Sequence, residues 1–375
     1  MGLRGVAGTP NLGRKDWARL NALCPYFTMF PLEFPLQHLT MALPGEWVLD
    51  PFCGRGTTNY AARLKGLPTV GVDANPVAVA IANAKLVTVT PEEVVAEAAA
   101  ILAGPPATQL PRGTFWELAY HPDTLAQVCQ LREALMVRCD TPARVMLRAL
   151  VLGVLHGPLR VGAPSYLSNQ MPRTYATKPE PAMRYWKRHR LTPPRVDVLD
   201  VIARRTHHVL SAVPEPVPGT IVHGDSRQPG TIPNVPGGYA WIVTSPPYFG
   251  MRSYKPDQWL RLWFLGGPDD VTYDYSQQVR HRQAEYVDDL ARVWKNVATV
   301  SRARARLVVR FGCLPSTAVD PLDVLERSFG QSGAGWRILQ VKDAGKPPRG
   351  RRQATQFGDP RGPVTEIDVI AELTT

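Results

Sequence analysis

The segment Val48-Leu49-Asp50-Pro51-Phe52-Cys53-Gly54-Arg55-Gly56-Thr57-Thr58 constrains this chain more than any other. An apolar run ends in an acid, breaks into a glycine turn and restarts as a helix. Gly54 and Gly56 let the backbone approach a ligand closely, and Thr57 is expected to cap the helix. A second apolar run over 69–73 ends in Asp73, and Pro76 opens a further helix to about 86 with proline in its first turn. Strand, glycine turn, helix, strand, acid is a βαβ unit, which implies a parallel sheet. Such sheets hold ligands beyond the carboxyl ends of their strands, where Asp50 and Asp73 then lie. An acid about twenty residues past a glycine turn suits ribose hydroxyls. A dinucleotide fingerprint would need a third glycine, and Asn59 occupies that position.

The remainder divides by the kind of pattern it carries. A helix is expected around Trp17, an irregular proline-aromatic stretch over 26–35, a helix over 36–43, the first strand over 46–50 and the post-turn helix over 57–65. Helical spacing then recurs over 91–103, 123–139, 142–157, 181–190 and 196–211 with no strand among them. A crossover needs only a dozen or more residues, so this is an inserted helical subdomain. Strand patterns resume at 220–223, 240–243, 306–311, 336–341 and 366–371, and 346–363 reads as a long loop. The expected class is α/β with a mainly parallel seven-stranded sheet. Its organisation is a first part (1–90), the insertion (91–215) and a last part (216–375).

Composition narrows the function classes. The five cysteines (Cys24, Cys53, Cys129, Cys139, Cys313) are scattered and odd in number, with no CxxC spacing, so a reducing, cytoplasmic setting without zinc or disulfides is expected. With no metal-type cluster, no metal is expected. No apolar run reaches membrane-spanning length, and Met1 to Pro25 lacks the apolar core of a secretory signal. The net charge of +11 favours phosphate partners, although a basic excess also serves solubility.

Directly after the apolar strand Trp241-Ile242-Val243 comes Thr244-Ser245-Pro246-Pro247-Tyr248. An exocyclic amino group on a base is a poor nucleophile because its lone pair is delocalised into the ring. Alkylating it requires acceptors for its N–H protons that aim the lone pair. Ser245 Oγ and the Pro246 carbonyl can supply them. Pro246 and Pro247 stiffen the turn, and a proline nitrogen cannot donate. Tyr248 can stack on a base swung out of a duplex. No cysteine follows a proline, so the Pro-Cys nucleophile used for methylation at cytosine carbon 5 is missing.

Taken in order, Asp50-Pro51-Phe52-x-Gly54-x-Gly56-Thr57-Thr58, Gly71-Val72-Asp73-Ala74-Asn75-Pro76 and the 244–248 clamp resemble the S-adenosylmethionine-dependent DNA methyltransferases that modify amino nitrogens. The resemblance covers roughly 26–90 and 220–265 and implies a Rossmann-like methyltransferase fold, with S-adenosylmethionine as cofactor, double-stranded DNA as partner and a flipped base as substrate. It implies cofactor contacts from Phe30, Pro31, Asp50, Phe52, Gly54, Gly56, Thr57, Thr58, Asp73 and Asn75, and from Asp225 and Ser226 in Gly224-Asp225-Ser226. Two departures stand out: Arg55 where serine is usual, and Glu33 where a lysine is common. Serine at the clamp's first position resembles the cytosine-N4 enzymes, with adenine-N6 the alternative. RNA, a protein amide, or a catalytically silent DNA-binding subunit are further alternatives. A restriction or defence partner is compatible with this reading, and the oligomeric state stays open.

Site choice is expected from the insertion. The run 165–175 is dense in groups that bond base edges. From Arg173 to Arg205 nine Lys/Arg stand against three acids, which a solvated helix face would also explain. Asn169, Arg173, Lys187 and Arg188 are the candidates there. Lys346, Arg349, Arg351 and Arg352 form a rival basic site. His156, on an apolar helix, is expected to be a packed histidine.

Overall fold

The computed structural model describes residues 14–26, 30–159, 162, 164–172, 178–250, 255–270, 282–314, 317–345 and 365–374. Its strands are β1 (Trp47–Asp50), β2 (Thr69–Asp73), β3 (Gly219–His223), β4 (Tyr239–Thr244), β5 (Ser301–Cys313), β6 (Trp336–Asp343) and β7 (Thr365–Leu373). They form one seven-stranded sheet in the order β3-β2-β1-β4-β5-β7-β6. All pairings are parallel except those of β7, which runs antiparallel to both β5 and β6. The expected class, an α/β fold on a mainly parallel seven-stranded sheet, is therefore the one observed.

The helices before the insertion are α1 (Arg14–Asn21), α2 (Glu33–His38), α3 (Thr57–Leu64) and α4 (Pro76–Ala84). Within it are α5 (Pro91–Ala103), α6 (Thr114–Ala119), α7 (Pro122–Val137), α8 (Pro142–Val154), α9 (Pro179–Arg188) and α10 (Val198–Val209). Beyond it lie α11 (Lys255–Phe264), α12 (Gln283–Val300) and α13 (Pro321–Ser332). Helix starts obey local chemistry. Thr90 accepts from Glu93 N while Glu93 returns a bond to Thr90 N, with Pro91 in the first turn. Thr141 and Asp197 cap α8 and α10 by accepting from Arg144 N and Asp200 N.

Successive strand residues feed opposite faces of the sheet. Val48, Val243 and Val308 join a core with the helices α3, α4, α5, α8, α10 and α11. Leu49, Ile242, Leu307 and Val309 join the other core, with α12 and α13. This two-sided burial is why the central strands read as continuous apolar runs. The first core passes without a break from Tyr60 and Ile81 through Val94, Leu150 and Ile202 to Trp259 and Phe264. The 91–215 region thus covers one face of the sheet instead of standing off as a separate lobe. Among the described residues it holds six helices and no strand.

Two local readings are corrected. The stretch over 26–35 is not wholly irregular, because α2 begins at Glu33. Pro35 falls within its first turn, where the missing N–H would have had no partner. The helices α6, α11, α12 and α13 were not expected. Each carries aromatic, charged or glycine interruptions, and each is stabilised by tertiary packing, as Trp294 of α12 is against Phe329 of α13 at 5.5 Å. The expected loop over 346–363 lies outside the described residues. Among the described residues, no helix is long and apolar enough to cross a membrane.

Candidate active site at the carboxyl edge

β1 lies between β2 and β4, with Asp50 opposite Gly71 and Leu49 opposite Ile242. The chain leaves β1 in one direction and returns as β4 on the other side, so this is the topological switch point. The carboxyl ends of β1 and β4 meet there, and Thr244 Oγ1 donates to Asp50 Oδ1 at 2.6 Å. Phe52 N donates to the same oxygen at 3.1 Å. Burial pushes the Asp50 carboxyl up to about 6, against the lowering effect of its Thr244, Thr58 and Phe52 bonds.

The glycine turn is tight. Gly54 and Gly56 have φ of 50° and 72°, in the left-handed region. A Cβ on Gly56 would stand 2.7 Å from the Ala82 Cβ, so the turn packs directly on α4. Gly56, not Thr57, holds the N-cap position of α3. Thr57 is buried, and its hydroxyl has no partner among the described residues. Across the turn, Asp73 Oδ2 accepts from Gly54 N and Oδ1 from Asn75 N, both at 2.8 Å. Each oxygen keeps a further lone pair. Burial raises the Asp73 carboxyl, partly offset by those two backbone bonds.

Asn75 caps α4 through Oδ1, which accepts from Val77 N, while its Nδ2 donates to the Tyr26 hydroxyl at 2.9 Å. Tyr26 was not singled out in the sequence. It stands in the proline-aromatic stretch that drew attention to Phe30 and Pro31, and its order before the cofactor motif was the available signal.

The clamp follows β4. Ser245 is 7% exposed, and its Oγ is buried without a hydrogen-bond partner among the described residues. Leaving a buried hydroxyl unpaired costs about 1–3 kcal/mol. The Pro247 carbonyl accepts from the Tyr286 hydroxyl of α12. Phe249 bridges to Cys313 of β5, and its carbonyl accepts from Leu314 N at 3.0 Å. The clamp is thereby held between the ends of two strands and a helix. Tyr248 is 2% exposed and packs edge-on against Phe311, with ring centroids 6.0 Å apart. A base can stack on its face only if the cover over that ring is displaced.

Other expected cofactor residues serve the frame. Thr58 Oγ1 donates to the Val243 carbonyl at 3.0 Å, tying α3 to β4. Ser226 Oγ donates to the Pro51 carbonyl at 2.7 Å, pinning the segment after β3 to the turn. Asp225 is held by Arg227, whose guanidinium also reaches Asp289 at 2.7 Å. Burial pushes the Asp225 carboxyl up, but the hydrogen bonds and charge of Arg227 outweigh it and leave it low. Phe30 packs on Phe34 at 5.1 Å, Pro31 is exposed, and Phe52 meets Trp294 edge-on at 6.3 Å.

The insertion residues separate sharply. Asn169 is 5% exposed, its side chain donating to the Leu118 carbonyl and its backbone to Ala119. It is a buried strut, and the expectation that it reads a base edge is corrected. Lys187 and Arg188 are exposed in the last turn of α9. Arg204 pairs with Asp200, Arg195 with Asp123, and Arg205 donates to the carbonyls of Ala22 and Leu23, so part of the basic run is structural. Arg173, Lys346, Arg349, Arg351 and Arg352 lie outside the described residues. His156 is buried with Nδ1 2.7 Å from Ser168 Oγ, and burial pushes it down to about 3, as a packed neutral histidine requires. Among the described residues no group of three or more His, Cys, Asp or Glu is placed to hold a metal ion.

Residues 11–84 match the sequence pattern of the family described as DNA methylase, of the N6/N4 type. That span holds β1, the glycine turn, β2 and α4. No curated protein matches. Among solved structures, the rRNA methyltransferase AviRa from Streptomyces viridochromogenes is 12% identical over 97% of this chain and 94% of its own, with a TM-score of 0.37. The magnesium protoporphyrin IX methyltransferase from Synechocystis PCC 6803, solved with bound S-adenosylmethionine, is 11% identical over 98% and 87%, with a TM-score of 0.34. A putative S-adenosylmethionine-dependent methyltransferase from Listeria monocytogenes is 9% identical over 92% and 98%, with a TM-score of 0.35. At such scores neither the fold nor the chemistry of this chain follows from theirs.

Proposed function

We propose that this protein transfers a methyl group from S-adenosylmethionine to the exocyclic amino nitrogen of a flipped base in DNA, and that the base is cytosine. The observation that carries the reading is the Ser245 hydroxyl, buried without a partner on a proline turn whose strand is tied to the glycine-turn acid by Thr244–Asp50. The match of residues 11–84 to the DNA methylase pattern supports the same chemistry.

The residues present fit the cofactor. Asp73 retains a lone pair on each oxygen for two ribose hydroxyls, the Thr57 hydroxyl is unpartnered, and the two glycines leave the backbone open to close approach. When bound, the cofactor supplies a methyl group on a sulfonium. The chain's own task is to prepare the nucleophile. Ser245 Oγ and the Pro246 carbonyl accept the N–H bonds of the amino group, which turns its lone pair out of the ring plane. No covalent intermediate with the protein is needed. DNA is drawn by the net charge of +11, with the exposed Lys187 and Arg188 of α9 as phosphate contacts. Cytosine is preferred on the serine at the clamp's first position.

The test is direct. The protein is incubated with methyl-labelled S-adenosylmethionine and duplex DNA, and the DNA is digested to nucleosides. Label in N4-methylcytosine is the expected result. Label in N6-methyladenine would replace the base and keep the chemistry. Cofactor binding with no label in any DNA nucleoside, across duplexes of varied sequence, would overturn the proposal.

A further inference from the structure

Gln258 stands in the first turn of α11, ten residues beyond Tyr248, and is 6% exposed. Its Oε1 accepts from Arg261 Nη1 at 3.2 Å. A guanidinium only donates, so the amide turns its oxygen to Arg261 and its NH2 group away. That nitrogen, Nε2, is buried and has no hydrogen-bond partner among the described residues. Arg261 is itself 4% exposed, and its Nε donates to the Leu152 carbonyl of α8 at 3.1 Å. The amide is thus held from behind, with both of its N–H donors unspent.

The helix that carries this amide belongs to the same edge of the sheet as the clamp. α11 packs against α4, the helix whose cap, Asn75, bonds Asp73. Trp259 and Leu260, the two residues after Gln258, are buried in the core that holds Val243 of β4. Ser245 is one residue past the end of β4, at the spacing from Val243 at which strand side chains share a face. The Ser245 hydroxyl and the Gln258 amide nitrogen are therefore two buried groups without partners on the side of the sheet that α11 covers. A buried donor left unmade is costly, and an incoming acceptor relieves that cost.

We propose that Gln258 is a specificity residue that donates to the ring nitrogen beside the amino-bearing carbon of the flipped base, N3 in cytosine. The inference rests on the proposed transfer to a base amino group. The pairing edge of cytosine presents amino N–H donors next to the bare acceptors N3 and O2. The clamp answers only the first half of that pattern, because Ser245 and the Pro246 carbonyl are acceptors there and neither Pro246 nor Pro247 has an N–H. The Gln258 amide supplies the missing donor. Uracil and thymine have a carbonyl in place of the amino group and an N–H in place of bare N3. They would set oxygen against oxygen at the clamp and N–H against N–H at Gln258, which leaves buried polar groups unpaired.

Single-turnover methyl transfer tests this on duplexes with cytosine or 3-deazacytosine at the position that the labelling experiment marks. The analogue has C–H in place of N3 and keeps the amino group. Gln258→Glu keeps an oxygen for Arg261 and removes the donors, and Gln258→Met removes the whole amide at similar length. Both variants are expected to transfer to cytosine about 10- to 100-fold more slowly than the unsubstituted protein, the range of one lost hydrogen bond in a buried site. On 3-deazacytosine they are expected to match it. Comparing proteins on one substrate cancels the analogue's own reactivity. Equal slowing on both substrates, or none on cytosine, would make Gln258 a packing residue of α11 and overturn the inference alone. If the label falls in adenine, 1-deazaadenine serves as the analogue, with N1 as the nitrogen concerned. Absence of label from every DNA nucleoside would overturn the methyl-transfer reading and this inference with it.

Discussion

Single side chains at the carboxyl edge divide the chemistry. Ser245→Ala removes the unpartnered acceptor and should lower single-turnover methyl transfer by about 100-fold or more, with cofactor affinity unchanged by calorimetry. Loss of affinity with an intact rate would move Ser245 out of the clamp. Asp73→Ala should weaken S-adenosylhomocysteine by about 10- to 100-fold, because the group it removes holds the turn and, in the proposed function, accepts the ribose hydroxyls. Asp50 makes a pH prediction with a definite sign. Its carboxyl rises from 3.8 to about 6 on folding, so between those values the folded state holds a proton the unfolded chain has released. Stability is then greatest below about pH 4 for this group and falls as pH rises through 6, by about 3 kcal/mol. Asp50→Asn should flatten that part of a urea-denaturation pH profile. An unchanged slope would mean that the carboxyl is not strained by burial.

At the scale of elements, α9 carries the basic residues that the proposed function assigns to phosphates. Its Lys187 and Arg188 are exposed, whereas Arg195, Arg204 and Arg205 farther along the chain are occupied by Asp123, Asp200 and backbone carbonyls. Lys187→Ala with Arg188→Ala should weaken binding to all duplexes alike and reduce the salt slope by about one unit per lost phosphate contact. Unchanged affinity and slope, measured by fluorescence anisotropy across salt, would leave α9 as a solvated face. The α3 turn is the opposite kind of element, with no tolerance. Gly56→Ala places a Cβ 2.7 Å from Ala82 at a positive φ, so cofactor binding should fail while much of the far core survives.

Over the whole molecule, the insertion and the sheet share one apolar core from α3 to α11. Heating should therefore give a single calorimetric transition with matching calorimetric and van't Hoff enthalpies. Two separated transitions would show that 91–215 folds on its own and that the shared core contributes little coupling.

The βαβ unit was legible because its signals are local: an apolar run, an acid, two glycines and a threonine fix strand, turn and helix without help from distant residues. The stiff proline turn after β4 was legible for the same reason, since it is written in five consecutive positions. The helices α12 and α13 were not, because packing of Trp294 against Phe329, not periodicity, decides them. Nor could sequence assign hydrogen-bond partners. It offered Asn169 as a base reader and Thr58 and Ser226 as ligand contacts, and only the fold shows these groups occupied by the Leu118, Val243 and Pro51 carbonyls. It placed the acids Asp50 and Asp73 at strand ends, but the Thr244–Asp50 bond joins residues 194 positions apart. Local geometry is set by neighbours in the chain, and the sequence contains those. Which polar groups are left unpartnered, as the Ser245 hydroxyl and the Gln258 amide nitrogen are, depends on everything packed around them, and that is decided only when the sheet closes.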